Sequence, residues 1–242
     1  MERGHFGARK ASLYTSPTSP TTNGSYTSRR MNKMPAPEIV MLDGPAGRIE
    51  ALYESPKNVA LAGCAVVCHP HPVHGGTMLN KVVHTLARAF VTKQMTSLRF
   101  NFRGVGLSEG DFDQGEGELA DALAAIAWIR NRCPGVPLWL AGFSFGGAIA
   151  MHAALQSSPS GLVTIAPAVY RFANKMTAQP DCPWLIVQGD KDELVDIDET
   201  IEYLNGLQPG PRLAVFPDGE HFFHGRLVEL RNTIEKFIAE NV

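Results

Sequence analysis

The sequence predicts an α/β fold in which an eight-stranded, mostly parallel sheet carries helices on both faces and has no cap domain. β-rich and helical runs alternate from about Glu38 to the end of the chain. The first two strands lie close together, whereas helical stretches separate the strands from the third onward. Segments such as Ala65-Val66-Val67 are apolar on successive residues, which is typical of strands covered on both faces.

Local patterns place each element along the chain. Short β-rich runs predict strands, in order, at residues 38–42, 47–53, 60–68, 96–102, 137–143, 161–166, 184–188 and 212–216. Helical runs follow at residues 79–92, 118–130, 148–156, 196–207 and 225–239. Val82, Leu86 and Phe90 recur at helical spacing in the first helix, and Asp196 with Glu199 gives the fourth a capping-box spacing.

The first 36 residues differ in composition from the rest of the chain. Residues 16–25 are rich in serine, threonine, proline and glycine, and such a stretch cannot bury enough surface to offset its ordering entropy. We therefore expect a disordered tail over residues 1–36 and one α/β domain over residues 37–242. Because the tail is basic, a targeting role is one possibility. The other is that the sequence begins too early and that Met31 or Met34 is the true initiator.

The overall composition limits the possible partners. The chain has 242 residues, of which 44% are hydrophobic and 19% charged, enough for one sizeable core. A net charge of -2 gives no reason to expect nucleic acid, and no apolar run approaches the length of a membrane helix. The four cysteines form no C-x-x-C pair, which favours buried thiols in a reducing, cytoplasmic compartment over disulfides.

Residues 142–146 have the sequence G-F-S-F-G and lie between a strand run and a helical run. A G-x-S-x-G pattern at such a junction is the signature of a nucleophile elbow, a turn so sharp that its serine is strained. The small residues on either side avoid collision, and the following helix N-terminus favours developing negative charge. Ser144 is therefore the candidate nucleophile.

Other chemically active side chains follow other strands. Residues 69–74, H-P-H-P-V-H, come after the third strand. Asp190 and Asp192 come after the seventh strand, and His221 comes after the eighth. Since active sites of such sheets lie beyond the carboxyl ends of the strands, these residues are expected to meet near Ser144. Serine, acid and histidine occur in the chain order of an α/β-hydrolase triad.

With these motifs the chain resembles the α/β-hydrolase superfamily, and more closely the small bacterial serine hydrolases with an HPHP loop, which are dienelactone-hydrolase-like. The resemblance covers about residues 38–240 and is carried by residues 68–78, 99–104, 142–147 and 220–223. It implies a cap-less esterase or thioesterase that acts on a small acyl substrate without a cofactor or metal. The short segment at about 167–183, where many larger relatives carry a lid, implies an open, shallow site.

The resemblance also assigns the triad partners. A serine hydroxyl needs a base within hydrogen-bond reach, and the base needs a carboxylate that fixes its tautomer. The family pattern favours His221 as the base over its rival His224. Related hydrolases carry the acid in a G-x-x-D-x-x-V context, which here matches Asp192. Asp190 is the alternative acid and is otherwise expected to be a turn residue.

Residues around the triad supply the remaining candidates. The amide of Phe145, directly after the nucleophile, is predicted to be one oxyanion donor. Because proline has no N–H, the loop after the third strand leaves the amide of His71 as the second donor, with Val73 next. Phe143 and Phe222 flank the catalytic positions and are predicted to contact the substrate.

Two other function classes remain open at this point. His69, His71 and His74 have the histidine spacing of an H-x-H-x-D-H metal motif, although Val73 stands in place of its aspartate. A metal-dependent hydrolase is therefore one alternative. A non-catalytic binding protein that kept the fold is the other, because fold alone does not specify function. In the preferred interpretation His69 instead orients its loop through hydrogen bonds to backbone groups.

Overall fold

The computed structural model describes residues 36–173 and 178–242. Its strands are β1 (Glu38–Gly44), β2 (Gly47–Glu54), β3 (Gly63–Cys68), β4 (Met95–Phe100), β5 (Leu138–Phe143), β6 (Gly161–Ile165), β7 (Trp184–Gly189) and β8 (Arg212–Phe216). Its α-helices are α1 (Lys81–Thr92), α2 (Glu116–Arg132), α3 (Phe145–Ser157), α4 (Ile197–Asn205) and α5 (Leu227–Asn241). A 3-10 turn at Pro72–His74 and a short π-helix at Val169–Ala173 complete these elements.

All eight strands form one sheet in the order β1-β2-β4-β3-β5-β6-β7-β8. β2 runs antiparallel to both β1 and β4, and the other neighbouring strands are parallel. The register places Gly142 of β5 between Cys68 of β3 and Thr164 of β6. The carboxyl ends of these strands therefore share one edge of the sheet, and the predicted fold class is confirmed.

Helices cover both faces of the sheet through two apolar cores. α1 and α5 pack on one face, where the Trp139 ring lies 6.0 Å from the rings of Phe90 and Phe237. α2 and α3 pack on the other face around Phe100 and Phe102. Burial of each such side chain contributes roughly 1.5–3 kcal/mol, so the central strands provide a stiff platform for the loops at their ends.

β4 ends two residues earlier than predicted. The prediction runs to residue 102, but Phe100 is the last residue of the strand. The N–H of Asn101 donates to the carbonyl of Glu50 at 2.8 Å, and the N–H of Phe102 donates to the His69 ring at 3.0 Å. The Asn101 bond still joins the chain to β2, whereas the Phe102 bond turns it toward the loop after β3, and this ends the strand.

All five helices begin one to three residues from the predicted positions, and two of these differences have a clear cause in the preceding turn. α3 begins at Phe145 rather than at residue 148, because the turn at Ser144 leads directly into the helix and its carbonyl accepts the N–H of Ala148 at 3.2 Å. α5 begins at Leu227 rather than at residue 225, because Gly225 has a φ of 72°, outside the right-handed helical region.

The remaining regions define the limits of the domain. The predicted tail, residues 1–36, lies outside the described residues except for Ala36. The connection between β6 and β7 carries only the short π-helix in its described part, in agreement with the predicted lack of a cap domain. In the described ranges, no helix has both the length and the apolar character needed to cross a membrane.

Candidate active site

Ser144 occupies a strained turn between β5 and α3. Its φ of 56° and ψ of -118° lie outside the favoured regions for a non-glycine residue, and its N–H donates to the carbonyl of Ile165 at 2.9 Å. The chain passes so closely over itself that a Cβ at Gly142 would collide with the carbonyl of Gly146, and one at Gly146 with the carbonyl of His69. The turn therefore requires glycine at both positions and presents Ser144 at the sheet edge.

Asp192 and His221 form a buried pair at the same edge. Nδ1 of His221 lies 2.8 Å and 3.0 Å from the two carboxylate oxygens of Asp192, and both side chains are at most 2% exposed. Oδ1 of Asp192 also accepts the N–H groups of Leu194 and Val195, at 2.9 Å and 2.8 Å, and Oδ2 accepts Nε2 of Gln188 at 3.0 Å. The carboxylate is thus fixed on all sides and orients the imidazole.

The alternative acid and base have other partners. Oδ1 of Asp190 accepts the N–H of Asp218 at 2.6 Å, which ties the loop after β7 to the turn after β8. The His224 ring is exposed and lies 3.2 Å from the carboxylate of Glu220, before the start of α5. The structure therefore brings together the other aspartate and histidine, and Asp190 acts as the turn residue expected from the sequence.

The rings of Phe143 and Phe222 both contact the His221 ring and lie 5.8 Å from each other. The ring of Phe143 lies 4.8 Å from that of His221, and the ring of Phe222 lies 5.1 Å from it at 89°. Phe222 is 37% exposed, as a substrate contact requires. Phe143 is 0% exposed, which corrects the expectation that it contacts the substrate. Its ring instead supports His221 from within the core, because residue 143 points into the sheet–helix interface.

The loop after β3 lies against the start of α3. The His71 ring is 5.0 Å from the Phe145 ring and 4.6 Å from the His74 ring. The carbonyl of His71 accepts the N–H groups of His74 and Gly76, which closes the loop on itself. Burial, together with the nearby positive charges of His74 and Arg171, lowers the pKa of His71 below its ordinary value. His71 is therefore a neutral neighbour of the elbow near pH 7.

His69 has both ring nitrogens engaged by the backbone. Nε2 accepts the N–H of Phe102 at 3.0 Å, so Nδ1 carries the proton and donates to the carbonyl of Pro70 at 2.6 Å. Because neither nitrogen is left for a metal, His69 does not join His71 and His74 in a three-histidine site. Within residues 36–173 and 178–242, no group of three or more His, Cys, Asp or Glu side chains is arranged to hold a metal ion.

Burial of His69 predicts loss of stability in mild acid. Desolvation lowers its pKa from 6.5 to about 4 in the folded protein, so the unfolded chain binds this proton more readily. As the pH falls from about 6.5 to about 4, this site should remove about 3 kcal/mol from the free energy of unfolding. Urea unfolding at several pH values in this range gives the free energy of unfolding. Its decrease with falling pH should be smaller in His69→Gln than in the wild type. Equal slopes would contradict this assignment.

Residues 99–104, singled out by the sequence, hold the end of the same loop. Oδ1 of Asn101 accepts the N–H of Met78 at 2.9 Å, and Nη1 of Arg99 donates to the Met78 carbonyl at 3.0 Å. Nη2 of Arg99 is paired with Glu54 at 2.5 Å in the interior. The N–H and the carbonyl of Met78 are therefore both held by residues at the end of β4. Since Phe102 also bonds to the His69 ring, the loop is fixed at both of its ends.

The sequence interpretation missed the supporting roles of Asn101 and Gln188. Each is a polar residue next to large apolar ones at the carboxyl end of a strand run, and this was the available signal. Nε2 of Gln188 donates both to Asp192 and to the carbonyl of Val195 at 3.0 Å, so it braces the turn that carries the acid. Asn101 likewise stabilises the loop after β3, through its hydrogen bond with the N–H of Met78.

Known proteins share this architecture. A family model described as serine aminopeptidase, S33, matches residues 65–179. A solved α/β serine hydrolase without a lid, from Xanthomonas campestris, is 39% identical with a TM-score of 0.80, over 86% of this chain and 97% of that chain. An α/β serine hydrolase homologue from Coxiella burnetii is 41% identical with a TM-score of 0.78, over 82% of this chain and 96% of that chain.

The similarity is also found in sequence alone. An uncharacterized protein from Rickettsia prowazekii is 34% identical over 209 residues, which covers 82% of this chain and 87% of that protein. The matched regions are long enough to include the sheet and the elbow at Ser144 rather than a single motif. This chain belongs to the α/β-hydrolase superfamily, in which it has the serine-hydrolase type of fold without a lid.

Proposed function

We propose that this chain is a serine hydrolase that cleaves a carboxylic ester, thioester or similar acyl bond of a small substrate through an acyl-enzyme. Ser144 is the nucleophile, His221 is the general base and acid, and Asp192 orients His221. The observation that carries the proposal is the buried pair of His221 and Asp192, held at the same sheet edge as the strained elbow of Ser144.

The hydrogen bond to Asp192 fixes the tautomer of His221. Because Nδ1 donates to the carboxylate, Nε2 of the neutral ring is left to accept a proton from Ser144. Oγ of Ser144 then attacks the acyl carbon while its proton passes to Nε2. The tetrahedral intermediate expels the alcohol or thiol, which takes that proton from Nε2. Water repeats both transfers on the acyl-enzyme, releases the carboxylic acid and restores the serine.

Two backbone amides are proposed to bind the oxyanion of the tetrahedral intermediate. Phe145 is the first residue of α3, so its N–H is directed out of the positive end of the helix. His71 lies against Phe145, between Pro70 and Pro72, which have no N–H to offer. The hydrogen bonds of His69 and Met78 hold this loop in place before substrate binds, as an oxyanion site requires.

Ester hydrolysis in the presence of two inhibitors tests the proposed chemistry against the metal-dependent alternative. A serine-reactive phosphonate should remove p-nitrophenyl ester hydrolysis completely, and a strong chelator should leave it unchanged. Activity that is lost to the chelator and resists the phosphonate, together with stoichiometric zinc in the pure protein, would overturn the proposal in favour of a metallohydrolase. Ester turnover by wild type no faster than by Ser144→Ala would favour the non-catalytic alternative.

The missing lid predicts a preference for short acyl groups. With no lid over the site among the described residues, the added methylene groups of a longer chain remain in water and do not gain the roughly 0.8 kcal/mol available on burial of each. We expect kcat/KM for p-nitrophenyl esters to fall steeply from acetate and butyrate to octanoate and longer chains, measured below their micelle concentrations. A preference for the long chains would contradict an open site.

The proposed reaction needs no cofactor, and we propose that it takes place in the cytoplasm. Cys64, Cys68 and Cys133 are buried free thiols, and burial raises the pKa of the half-buried Cys182 to about 11. Thiols of this kind are poor nucleophiles near neutral pH and suit a reducing compartment. The expected partner is a small acyl substrate rather than a nucleic acid or a membrane.

A further inference from the structure

The segment after β6 is fixed against the elbow. The N–H of Ala168 donates to the carbonyl of Ser144 at 3.2 Å, and the N–H of Ala166, which has a φ of 42°, donates to the Val187 carbonyl at 2.8 Å. Pro167 packs so closely on α3 that a Cβ at Gly147 would lie 3.1 Å from it. The chain therefore leaves β6 directly beside the nucleophile and enters the short π-helix at Val169–Ala173.

Arg171 lies in this π-helix and is exposed. It follows Ala168 by three residues, a span of at most about 11 Å even when fully extended, and a long side chain adds to that reach. Its positive charge lowers the pKa of His71, whose ring packs on Phe145 beside the nucleophile. The guanidinium thus acts electrostatically on the loop proposed to bind the oxyanion.

Arg171 forms no ion pair with any residue of the described ranges, in contrast to other arginines near this edge. Arg103 is paired bidentately with Asp121, at 3.0 Å and 2.8 Å. The guanidinium of Arg226 is paired with Glu229 at 2.7 Å. The arginine fork of Arg171 is therefore available to an anionic group from outside the protein.

An acid that contacts the π-helix has another partner. The carboxylate of Glu202 on α4 accepts the hydroxyl of Tyr170 at 2.6 Å, which ties the π-helix to that helix. This bond and that of Ala168 hold the backbone that leads into Arg171 in place. A charged side chain on a fixed backbone beside a reactive serine is a typical means of selecting charged substrates.

We infer that Arg171 binds a carboxylate of the substrate, so that the preferred substrates are acyl compounds with an anionic group a few bonds from the scissile carbonyl. This inference rests on the proposed function, because the subsite is defined relative to Ser144. Planar, bidentate pairing of guanidinium with carboxylate gives both attraction and orientation at that point. Arg171 is then a specificity residue that leaves the chemistry of a neutral ester unchanged.

Two matched ester pairs test the inference, since the carboxylate can lie on either side of the scissile bond. One pair is 4-acetoxybenzoate and its neutral methyl ester, and the other is the 4-nitrophenyl half-ester of adipic acid and 4-nitrophenyl hexanoate. In at least one pair, Arg171→Gln should lower kcat/KM for the anionic member roughly tenfold or more. The neutral member should change less than about twofold, and Arg171→Lys should restore part of the loss.

Lys57 supplies the matched control. It is an exposed cation between β2 and β3, at the opposite edge of the sheet, so Lys57→Gln removes one charge without touching the site. Lys57→Gln should behave as wild type with all four esters. If Arg171→Gln leaves the ratio of kcat/KM for the anionic ester to kcat/KM for the neutral ester unchanged in both pairs, the inference is overturned. An equal change of this ratio in Lys57→Gln would also overturn it.

Binding without turnover separates this inference from the proposed function. Calorimetric titration of the anionic esters into Ser144→Ala should give an affinity that falls roughly tenfold in the double variant with Arg171→Gln. Equal affinities, or no binding to Ser144→Ala, would overturn the subsite. If wild type hydrolyses none of the four esters but the double variant shows this loss of affinity, the proposed function fails and the subsite stands.

Discussion

Replacement of Ser144 with alanine is expected to lower kcat/KM for p-nitrophenyl butyrate by roughly 10⁴-fold or more. Alanine removes the hydroxyl that forms the acyl-enzyme and leaves the histidine, the acid and the proposed oxyanion donors in place. The remaining rate should be that of water attack assisted by the proposed oxyanion donors and by substrate binding. The comparison of kcat/KM between wild type and Ser144→Ala measures this directly.

A second serine provides the control for the loss of activity in Ser144→Ala. Ser160 is exposed and follows α3, at the end of the helix remote from the elbow, and its N–H bond to the Leu138 carbonyl does not involve the side chain. Ser160→Ala should retain full activity. Ser144→Ala should keep the urea midpoint of wild type within a small margin, since an alanine fits the same turn. Similar rates for wild type and Ser144→Ala would remove Ser144 from the mechanism.

Replacement of Asp192 with asparagine should lower kcat by roughly 10³- to 10⁴-fold. The oxygen of asparagine can keep the N–H bonds of Leu194 and Val195, which places its NH₂ group toward Nδ1 of His221. Nδ1 would then have to accept, so the proton would move to Nε2 and the ring could no longer take the proton of Ser144. Steady-state kinetics with a p-nitrophenyl ester give kcat for this variant.

Asp190→Asn is the matched control for this change. It replaces the other aspartate after β7, and asparagine can still accept the N–H of Asp218. Its kcat should stay within about threefold of wild type, since among the described residues the acid bonded to Nδ1 of His221 is Asp192 and not Asp190. A loss in Asp190→Asn equal to that in Asp192→Asn would mean that the acid has been assigned incorrectly.

The fold could be predicted from the sequence because the patterns that specify it are local and recur along the chain. Each strand from β3 to β7 is buried on both faces, and all of these except β4 appear in the sequence as short, almost continuous apolar runs. β4 is equally buried but contains Thr96, Ser97 and Arg99. The elbow was visible for a related reason, since collisions at Gly142 and Gly146 restrict both positions to glycine. These constraints act within a few residues and leave a pattern in the sequence.

Features that depend on packing between distant segments were not open to prediction. Phe143 and Phe222 are similar in sequence context, but only the structure shows that one supports His221 from the core while the other is exposed. Residues 99–104 stood out as a motif without a role, because Asn101 and Arg99 act on Met78, about twenty residues earlier in the chain. Such roles depend on the direction of the side chain and on its contact partners. The spacing of residues in the sequence reveals neither.

The most direct test of the central claim is to map the residue that a serine-reactive phosphonate modifies. Peptide mass spectrometry of the inactivated protein should show one phosphonyl group per chain, on Ser144, in proportion to the activity lost. The Ser144→Ala variant should remain unmodified under the same conditions. A fully inactivated protein with unmodified Ser144, or full activity with Ser144 modified, would contradict the account.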